Sequence, residues 1–279
     1  MSSFAEAALR CPVCRAGFAA TAAGVHCPSG HSFDRARQGY LNLAGGLGRT
    51  ALGADDAAAV DARSQFLTTG HFAPVVDALI EVASAAWPGG LVLDAGSGPG
   101  HYLAAVLEAL PDAEGLAVDS SAPALRRAAR CHPRASAIGW DLREPLPLAD
   151  GCAGLVLNVF APRNGAEYAR VLRADGALSV VTPGPGHLAE LIGPLGLVSV
   201  DPDKPARLAA SLDPWFASST TRQVMSSMCL SHAAAGAVVG MGPNAHHVQS
   251  AELAARLAAL PEPIEVTLEV DVAVYGPRG

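Results

Sequence analysis

Residues 91–102 read LVLDAGSGPGHY, and no other run in the chain restricts the possible folds as much. Five residues of a buried-strand type lead into glycines at alternate positions, and a helix-compatible segment follows. This order predicts strand, tight turn and helix, with glycine supplying positive φ and a backbone that a ligand can approach closely. Asp94, Gly96, Gly98 and Gly100 therefore form the candidate ligand loop, and His101 stands at its helical end. GLAVD (115–119) predicts a second strand, and Asp119 ends it where a carboxylate can accept the ribose hydroxyls of a nucleoside cofactor.

The rest of the chain repeats the alternation. Strands are expected at 135–139, 154–160 and 176–182, and helices at about 100–110, 121–131 and 165–173. Before the loop, residues 58–87 carry helical patterning broken around Gly70 and Pro74. After it come a helix following Pro185, a strand near Thr221–Leu230, a helix near Ala251–Leu260 and a long final strand, Ile264–Tyr275. Such alternation predicts an α/β fold whose mostly parallel sheet has helices on both faces. The late pair of strands predicts an antiparallel edge.

Residues 1–43 are different in kind. Cys11, Cys14, Cys27 and His31 give C-x2-C-x12-C-x3-H, two short-spaced pairs that a hairpin would bring together around a tetrahedral zinc. Four ligands leave no open position, so this zinc is structural, and so small a module needs the metal in order to fold. His26 is an alternative to His31, and a disulfide framework is the alternative to metal, disfavoured without an export signal. Cys131, Cys152 and Cys229 lie in apolar context and read as packing residues. The predicted organisation is a zinc module over 1–43, a Gly- and Ala-rich connector over 44–60, and one large domain over 61–279.

The net charge of −7 argues against a polyanion partner, but its distribution argues for one. Residues 1–50 hold Arg10, Arg15, Arg35, Arg37 and Arg49 against Glu6 and Asp34, so that segment is positive in an acidic chain. Arg35 and Arg37 follow the last zinc ligand and are candidate RNA phosphate contacts; a solvated arginine surface is the plain alternative. Without a basic segment leading into an apolar run, and without an apolar stretch of membrane-spanning length, the expected location is cytoplasmic, with no membrane partner.

The D-x-G-x-G-x-G loop resembles the S-adenosylmethionine loop of class I methyltransferases, which have a Rossmann-like sheet and wrap the loop around the methionine end of the cofactor. In such enzymes the position of Asp141, in GWDLREPLP, often meets the adenine amine; a surface aspartate in a turn is the alternative. Four further stretches are similar to the ribosomal RNA (guanine-N1)-methyltransferases of the RlmA type. They are CPVC…HCPSGHSFDRARQGYLNL (11–43), ARSQFLTTGHFAPV (62–75), NVFAP (158–162) and TPGPGHLAEL (182–191). DDAAAVDAR before Ser64 departs from the family pattern, which has an acid and methionines near Ala58–Val60.

The resemblance implies a homodimer whose zinc modules recognise 23S ribosomal RNA, and methyl transfer to N1 of a guanine in a hairpin loop. Nucleotide 748 is favoured over 745, the subtype tied to macrolide (tylosin) resistance. The pocket is expected at the carboxyl ends of the strands beside Asn158–Pro162, where the sheet order reverses. There Asn158 and the Phe160–Ala161 backbone are placed to read the guanine edge, Phe160 to stack on it, and Arg163 to hold O6 or a phosphate. His71 is the candidate histidine for cofactor or base contact. Each has a plain alternative: core packing for Phe160, a surface arginine for Arg163, helix-end packing for His71. No residue is identified as a general base. A small-molecule methyltransferase and a non-catalytic zinc-containing binding factor are the competing functions; the zinc module argues against the first and the intact loop with Asp119 against the second.

Overall fold

The computed structural model describes residues 3–44, 54–197, 207, 210–241 and 250–278. Most of the expected connector, 45–53, lies outside them, and residues 57–60 of that stretch open a helix. The chain opens with helix α1 (Ser3–Ala8) and an antiparallel three-stranded sheet: β1 (Ala19–Ala20), β2 (Gly24–His26) and β3 (Ser32–Asp34). Strand β4 (Leu41–Asn42) follows. Helices α2 (Ala57–Thr68) and α3 (Ala73–Ala86) come next, separated where Gly70 takes φ 80° and Pro74 sits in the first turn of α3.

The core of the molecule is then built in the expected alternation: β5 (Leu91–Ala95), α4 (His101–Ala109), β6 (Glu114–Asp119), α5 (Ala122–Ala128), β7 (Ala135–Gly139), β8 (Ala153–Val159), α6 (Gly165–Val171) and β9 (Leu172–Pro183). Helix α7 (Ala189–Leu195), strand β10 (Phe216–Leu230), helices α8 (His232–Gly240) and α9 (Ser250–Ala258), and strand β11 (Ile264–Pro277) complete it. One eight-stranded sheet runs in the order β10-β11-β9-β8-β5-β6-β7-β4. β4 to β9 pair in parallel, and β11 lies antiparallel between β9 and β10, the expected antiparallel edge.

Both faces of the sheet are buried, which is why the central strands read as continuous apolar runs. Leu91, Leu93 and Ala95 of β5 face one apolar cluster with Leu9, Leu41, Phe33 and Tyr168. Val92 faces the other, with residues of α3, α4 and α8. The sheet order reverses between β5 and β8, since β6 and β7 are laid on one side of β5 and β8 and β9 on the other. The carboxyl ends of β5 and β8 therefore flank a crevice, the usual ligand position in a doubly wound sheet.

Three features depart from the sequence expectation. β10 starts at Phe216, earlier than expected, because its pairing with β11 continues to Pro277. α8 has no polar face to announce it, since after His232 the run AAAGAVVG is small and apolar. Leu41 and Asn42 pair with Ile138 and Gly139, so residues within the stretch read as the zinc module supply the edge strand of the large sheet.

Candidate functional site

Cys11 and Cys14 lie in one tight turn, Cys27 and His31 in another. In the first, the Arg15 N–H donates to Cys11 O at 2.8 Å while Cys11 N donates to Ala16 O, and Arg15 takes φ 62°. In the second, Gly30 takes φ 83° and its N–H donates to Cys27 O. Each turn points two ligand atoms inward, and the four ligand atoms all lie within 4.8 Å of one another. Donors at ~2.3 Å from a common tetrahedral centre stand ~3.8 Å apart. The structure has 3.6 Å from Cys14 Sγ to Cys27 Sγ, 3.6 Å from Cys11 Sγ to His31 Nδ1 and 3.3 Å from Cys27 Sγ to His31 Nδ1. The sulfurs are too far apart for a disulfide, and His26 stays outside the cluster. Backbone donation from Ala16 pulls the Cys14 thiol down to about 6, which favours the thiolate that zinc requires. The residues fit a structural zinc.

The glycine loop joins β5 to α4 with all three glycines at positive φ: Gly96 at 85°, Gly98 at 52° and Gly100 at 83°. Their reasons differ. A Cβ on Gly96 would stand 2.3 Å from that of Ala161, and one on Gly100 would meet the Cys131 Sγ at 2.7 Å. Those two let neighbouring segments pack closely. Gly98 faces the Arg63 guanidinium, with 3.4 Å between Nη1 and a built Cβ. The loop is tied to β6: Gly96 N and Ser97 N donate to Val118 O, and Gly98 N donates to Asp119 Oδ2 at 2.8 Å. Ser121 N donates to the other Asp119 oxygen at 2.8 Å.

Asp94 is 1% exposed, and its Oδ2 has no hydrogen-bond partner. Burial, reinforced by the Asp119 carboxylate, pushes its carboxyl up to about 7. Burial also raises Asp119. Two carboxyl groups in one crevice, one with an orphaned oxygen, fit a ligand that brings hydroxyl and cationic donors. His101 is the first residue of α4, half-buried with its ring edge-on to Tyr102 at 5.3 Å, and burial lowers its pKa. Asp141 is held by Arg143: Nη2 donates to Oδ2 at 2.7 Å, and Nε and the backbone N–H to Oδ1, each at 3.0 Å.

Across the crevice, the β8 end carries an aromatic wall. Phe160 takes φ 53°, a left-handed conformation that a bulky side chain adopts only when its surroundings enforce it, and 40% of it is exposed. Its ring stacks on His187 at 6.2 Å and 23°, and Phe72 lies 6.2 Å from Phe160 and 6.1 Å from His187. His71 stacks on Phe66 at 5.7 Å, so it extends this wall from the α2–α3 turn.

Asn158 lies beneath the wall and is fully buried. Its amide donates to Ala95 O, Pro162 O and the Tyr168 hydroxyl at 3.3, 2.9 and 3.2 Å. Its amide N–H groups are thus turned to the chain and clamp the Phe160 turn to the end of β5, while its buried Oδ1 has no hydrogen-bond partner. Arg163 is half-buried, its Nε has no partner, and burial lowers its pKa against the nearby Tyr168 and Tyr275 hydroxyls.

The family model described as RlmA, N-terminal, a zinc ribbon, matches residues 9–44. The 23S rRNA (guanine(748)-N(1))-methyltransferase of Streptomyces fradiae is 48% identical, over 96% of this chain and 96% of that protein. A protein of Micromonospora griseorubida, provisionally assigned as a 23S rRNA (guanine-N(1)-)-methyltransferase, is also 48% identical, over 96% of this chain and 97% of its own. A Bacillus subtilis (strain 168) protein with the same provisional assignment is 32% identical over 65% of this chain and 66% of its own. The chain belongs to the 23S rRNA (guanine-N1)-methyltransferase family.

For a member of this family, the site residues expected from the sequence fall into three groups. Cys11, Cys14, Cys27 and His31 come together as one cluster. Asp94, Gly96, Gly98, Gly100, His101 and Asp119 line or build one crevice, while Asp141 is engaged by Arg143 beyond the end of β7. Phe160 and His71 join an aromatic wall. Sequence reading missed Arg63, whose Nη1 ion-pairs with Asp55 and whose Nη2 donates to Met241 O at 2.7 Å. It also missed His187, although the TPGPGHLAEL stretch that contains it was in view. Both lie in stretches singled out in the sequence, but their contacts reach as far as Met241, 178 residues from Arg63, so those stretches do not say which residue faces the site.

Proposed function

We propose that this chain transfers a methyl group from S-adenosylmethionine to N1 of guanine 748 in a 23S rRNA hairpin, acting in the cytoplasm as a homodimer and conferring macrolide resistance. The observation that carries this reading is the meeting, at one switch point, of the Asp94/Gly98/Asp119 cradle with the exposed Phe160 wall, in a chain that also carries a four-ligand zinc ribbon. Among the described residues no single helix is long and apolar enough to cross a membrane; the bent pair Ala57–Thr68 and Ala73–Ala86 passes that test only when its two helices are taken together.

The cofactor supplies a methyl group already activated on a sulfonium. The chain's part is alignment, exclusion of water and handling of one proton. Asp119, held by the Gly98 and Ser121 N–H groups, is fixed to accept from ribose hydroxyls. Asp94 offers its unpartnered oxygen to the cationic end. Phe160 provides a face for a base turned out of a hairpin loop, where extrusion costs only a few kcal/mol. Asn158 keeps that face in place from below. The N1 proton of guanine has a pKa about two units above neutral, so a donor that stabilises charge on O6 assists its departure. Cys11, Cys14, Cys27 and His31 hold the zinc, which takes no part in methyl transfer.

Nucleic-acid contact falls to the ribbon. Arg37 is exposed, while Arg35 donates from Nη1 to Gly39 O at 3.2 Å and so shapes the turn that presents Arg37. Changing both arginines to Ala is expected to weaken hairpin binding and to lower the salt slope by about one per lost phosphate contact. Affinity for S-adenosylmethionine should stay the same. Equal RNA affinity and equal slope in both proteins would remove the ribbon from RNA binding. The reading as a whole is tested by mass mapping of 23S rRNA from cells with and without the protein, beside methylation assays on a metabolite panel. Loss of one methyl at guanine 748 is the expected result; an unmodified RNA with a methylated metabolite would replace the substrate.

A further inference from the structure

Arg163 differs from the other half-buried arginines in that nothing in the described chain receives its N–H groups. Arg63 is committed to Asp55 and the Met241 carbonyl, Arg134 to the carbonyls of Leu107, Leu110 and Ala113, and Arg170 to Glu167 and Asp150. Arg163 Nε is buried without a hydrogen-bond partner, and among the described residues neither a carboxylate nor a carbonyl accepts from the rest of the guanidinium. Burial lowers its pKa, and the groups that oppose this are the Tyr168 and Tyr275 hydroxyls rather than an acid. The Tyr168 hydroxyl is already engaged: it donates to Pro162 O at 3.1 Å and accepts from Asn158 Nδ2 at 3.2 Å. A half-buried cation with five donors and no acceptor is unfavourable in the free protein and suited to an anion from outside.

Beside it lies an exposed tryptophan. Leu212 is wholly buried and Phe216 is 1% exposed, yet the turn between them, closed by Trp215 N donating to Leu212 O at 2.9 Å, leaves Trp215 44% exposed. The indole is seated: its Cδ1 lies 3.1 Å from where a Cβ would stand on Gly165, two residues after Arg163. Arg278 donates from its backbone N–H to Trp215 O and from Nε to Phe216 O, both at 2.8 Å, so a second cation stands at this patch. Asp213, on the same turn, acts on Tyr275 and not on Arg163.

The segment from Phe160 to Arg163 crosses the end of the sheet. Phe160 lies with Phe72 on one side, and Arg163 with Tyr168 and Tyr275 on the other. Three residues span at most ~11 Å, so a nucleotide on Phe160 has its neighbour within reach of Arg163. We propose that Arg163 and Trp215 form a second RNA subsite, in which the guanidinium takes a phosphodiester next to the target nucleotide and the indole stacks on an adjacent unpaired base. This rests on the guanine-N1 reading, which puts the target base on Phe160. Guanidinium–phosphate pairing fixes the path of the strand, and aromatic faces hold bases splayed from RNA loops. Neither group touches the reacting atoms.

The test uses purified full-length protein, the 23S rRNA hairpin, and two versions of it that lack the base on the 5′ or the 3′ side of the target guanine. Trp215→Ala should raise KM for the intact hairpin about 10-fold and leave kcat within about twofold. Trp215→Phe, which keeps a stacking face, should recover most of the loss. One of the two abasic hairpins should cost wild type a similar factor and Trp215→Ala nothing further. Arg163→Gln should weaken hairpin binding about 10-fold and lower the salt slope by about one. Its affinity for S-adenosylmethionine should hold, and without RNA it should melt no lower than wild type, since no partner within the chain is lost.

Abasic losses that are equal in wild type and Trp215→Ala, or an unchanged salt slope in Arg163→Gln, overturn the subsite. An Arg163→Gln protein that melts well below wild type would mark a structural arginine and overturns it as well. So does a Trp215→Ala protein whose sedimenting mass falls while its RNA affinity holds, since the patch would then be an interface between copies. Wild-type protein that leaves the intact hairpin unmethylated overturns the guanine reading itself, and the subsite with it.

Discussion

Cys27→Ser protein is expected to lose its zinc and to melt at least ~10 °C below wild type, rather than merely fraying at its N-terminus. Structural zinc contributes on the order of 10 kcal/mol to small ribbons. Here the ribbon shares its core with the large domain. Leu9, Leu41 and Leu43 are wholly buried in the cluster that also contains Leu93, Leu116 and Leu148, and burial of each such side chain is worth about 1.5–3 kcal/mol. The polar seam is equally shared. Arg15, directly after Cys14, donates to Leu146 O at 2.8 Å and Leu148 O at 3.0 Å. Arg170 of α6 donates to the same two carbonyls at 3.0 and 2.8 Å. Arg10 N donates to Pro147 O, and Ala149 N to Ala8 O. Loss of metal releases Arg15 from the left-handed turn that aims it, and its two hydrogen bonds in this seam go with it. At about 2–4 °C per kcal/mol, losing several kcal/mol gives the stated shift. Metal analysis beside thermal unfolding decides the matter, with Cys152→Ser as a control that should keep its zinc. A Cys27→Ser protein with wild-type melting would mean that the ribbon contributes nothing to the fold.

The contrast between what could and could not be read from the sequence follows the range of the interactions. β5, β6 and β7 were legible because burial on both faces leaves unbroken apolar runs of the right length, each closed by glycine or aspartate. The zinc ligands were legible because each pair is a local turn. NVFAP marks a site without saying which of its residues faces outward: in the structure Phe160 is 40% exposed, while Asn158 is fully buried with its amide N–H groups held by the chain. β4 was invisible for another reason. Two residues carry no periodicity, and Leu41–Asn42 becomes a strand only because the edge of β7 has open N–H and C=O groups to pair. The placing of His187 was not legible because it depends on Glu269, 82 residues away, whose backbone N–H donates to its Nδ1.

The acid pair in the crevice should make cofactor binding depend on pH in a defined sense. In the ligand-free protein Asp94 titrates at about 7 instead of the ordinary 3.8, because burial and then Asp119 oppose its ionisation. A raised folded value means that this group's contribution to stability is complete below about pH 4 and is lost as pH rises through 7. Ligand binding runs the other way. The sulfonium and ammonium of S-adenosylmethionine are attracted only by the ionised carboxylate, so the competent fraction grows from roughly a tenth at pH 6 to nine tenths at pH 8, and apparent affinity rises about tenfold. Asp94→Asn should abolish that rise and leave affinity at pH 8 no better than wild type at pH 6. The same variant, having no carboxylate to bury, should unfold at higher temperature than ligand-free wild type at pH 8, by a margin that shrinks steadily as pH falls toward 4. Asp119→Ala behaves differently. Its oxygens hold Gly98 N and Ser121 N besides the ribose contact proposed for them, so its loss should weaken binding by about 10- to 100-fold, the equivalent of ~1.5–3 kcal/mol, across the whole pH range. Calorimetric titration of wild type and both variants between pH 6 and 8 separates the two roles. Wild-type affinity that is flat across this range, or an Asp94→Asn protein that keeps the slope, would show that Asp94 does not face the cationic end of the cofactor.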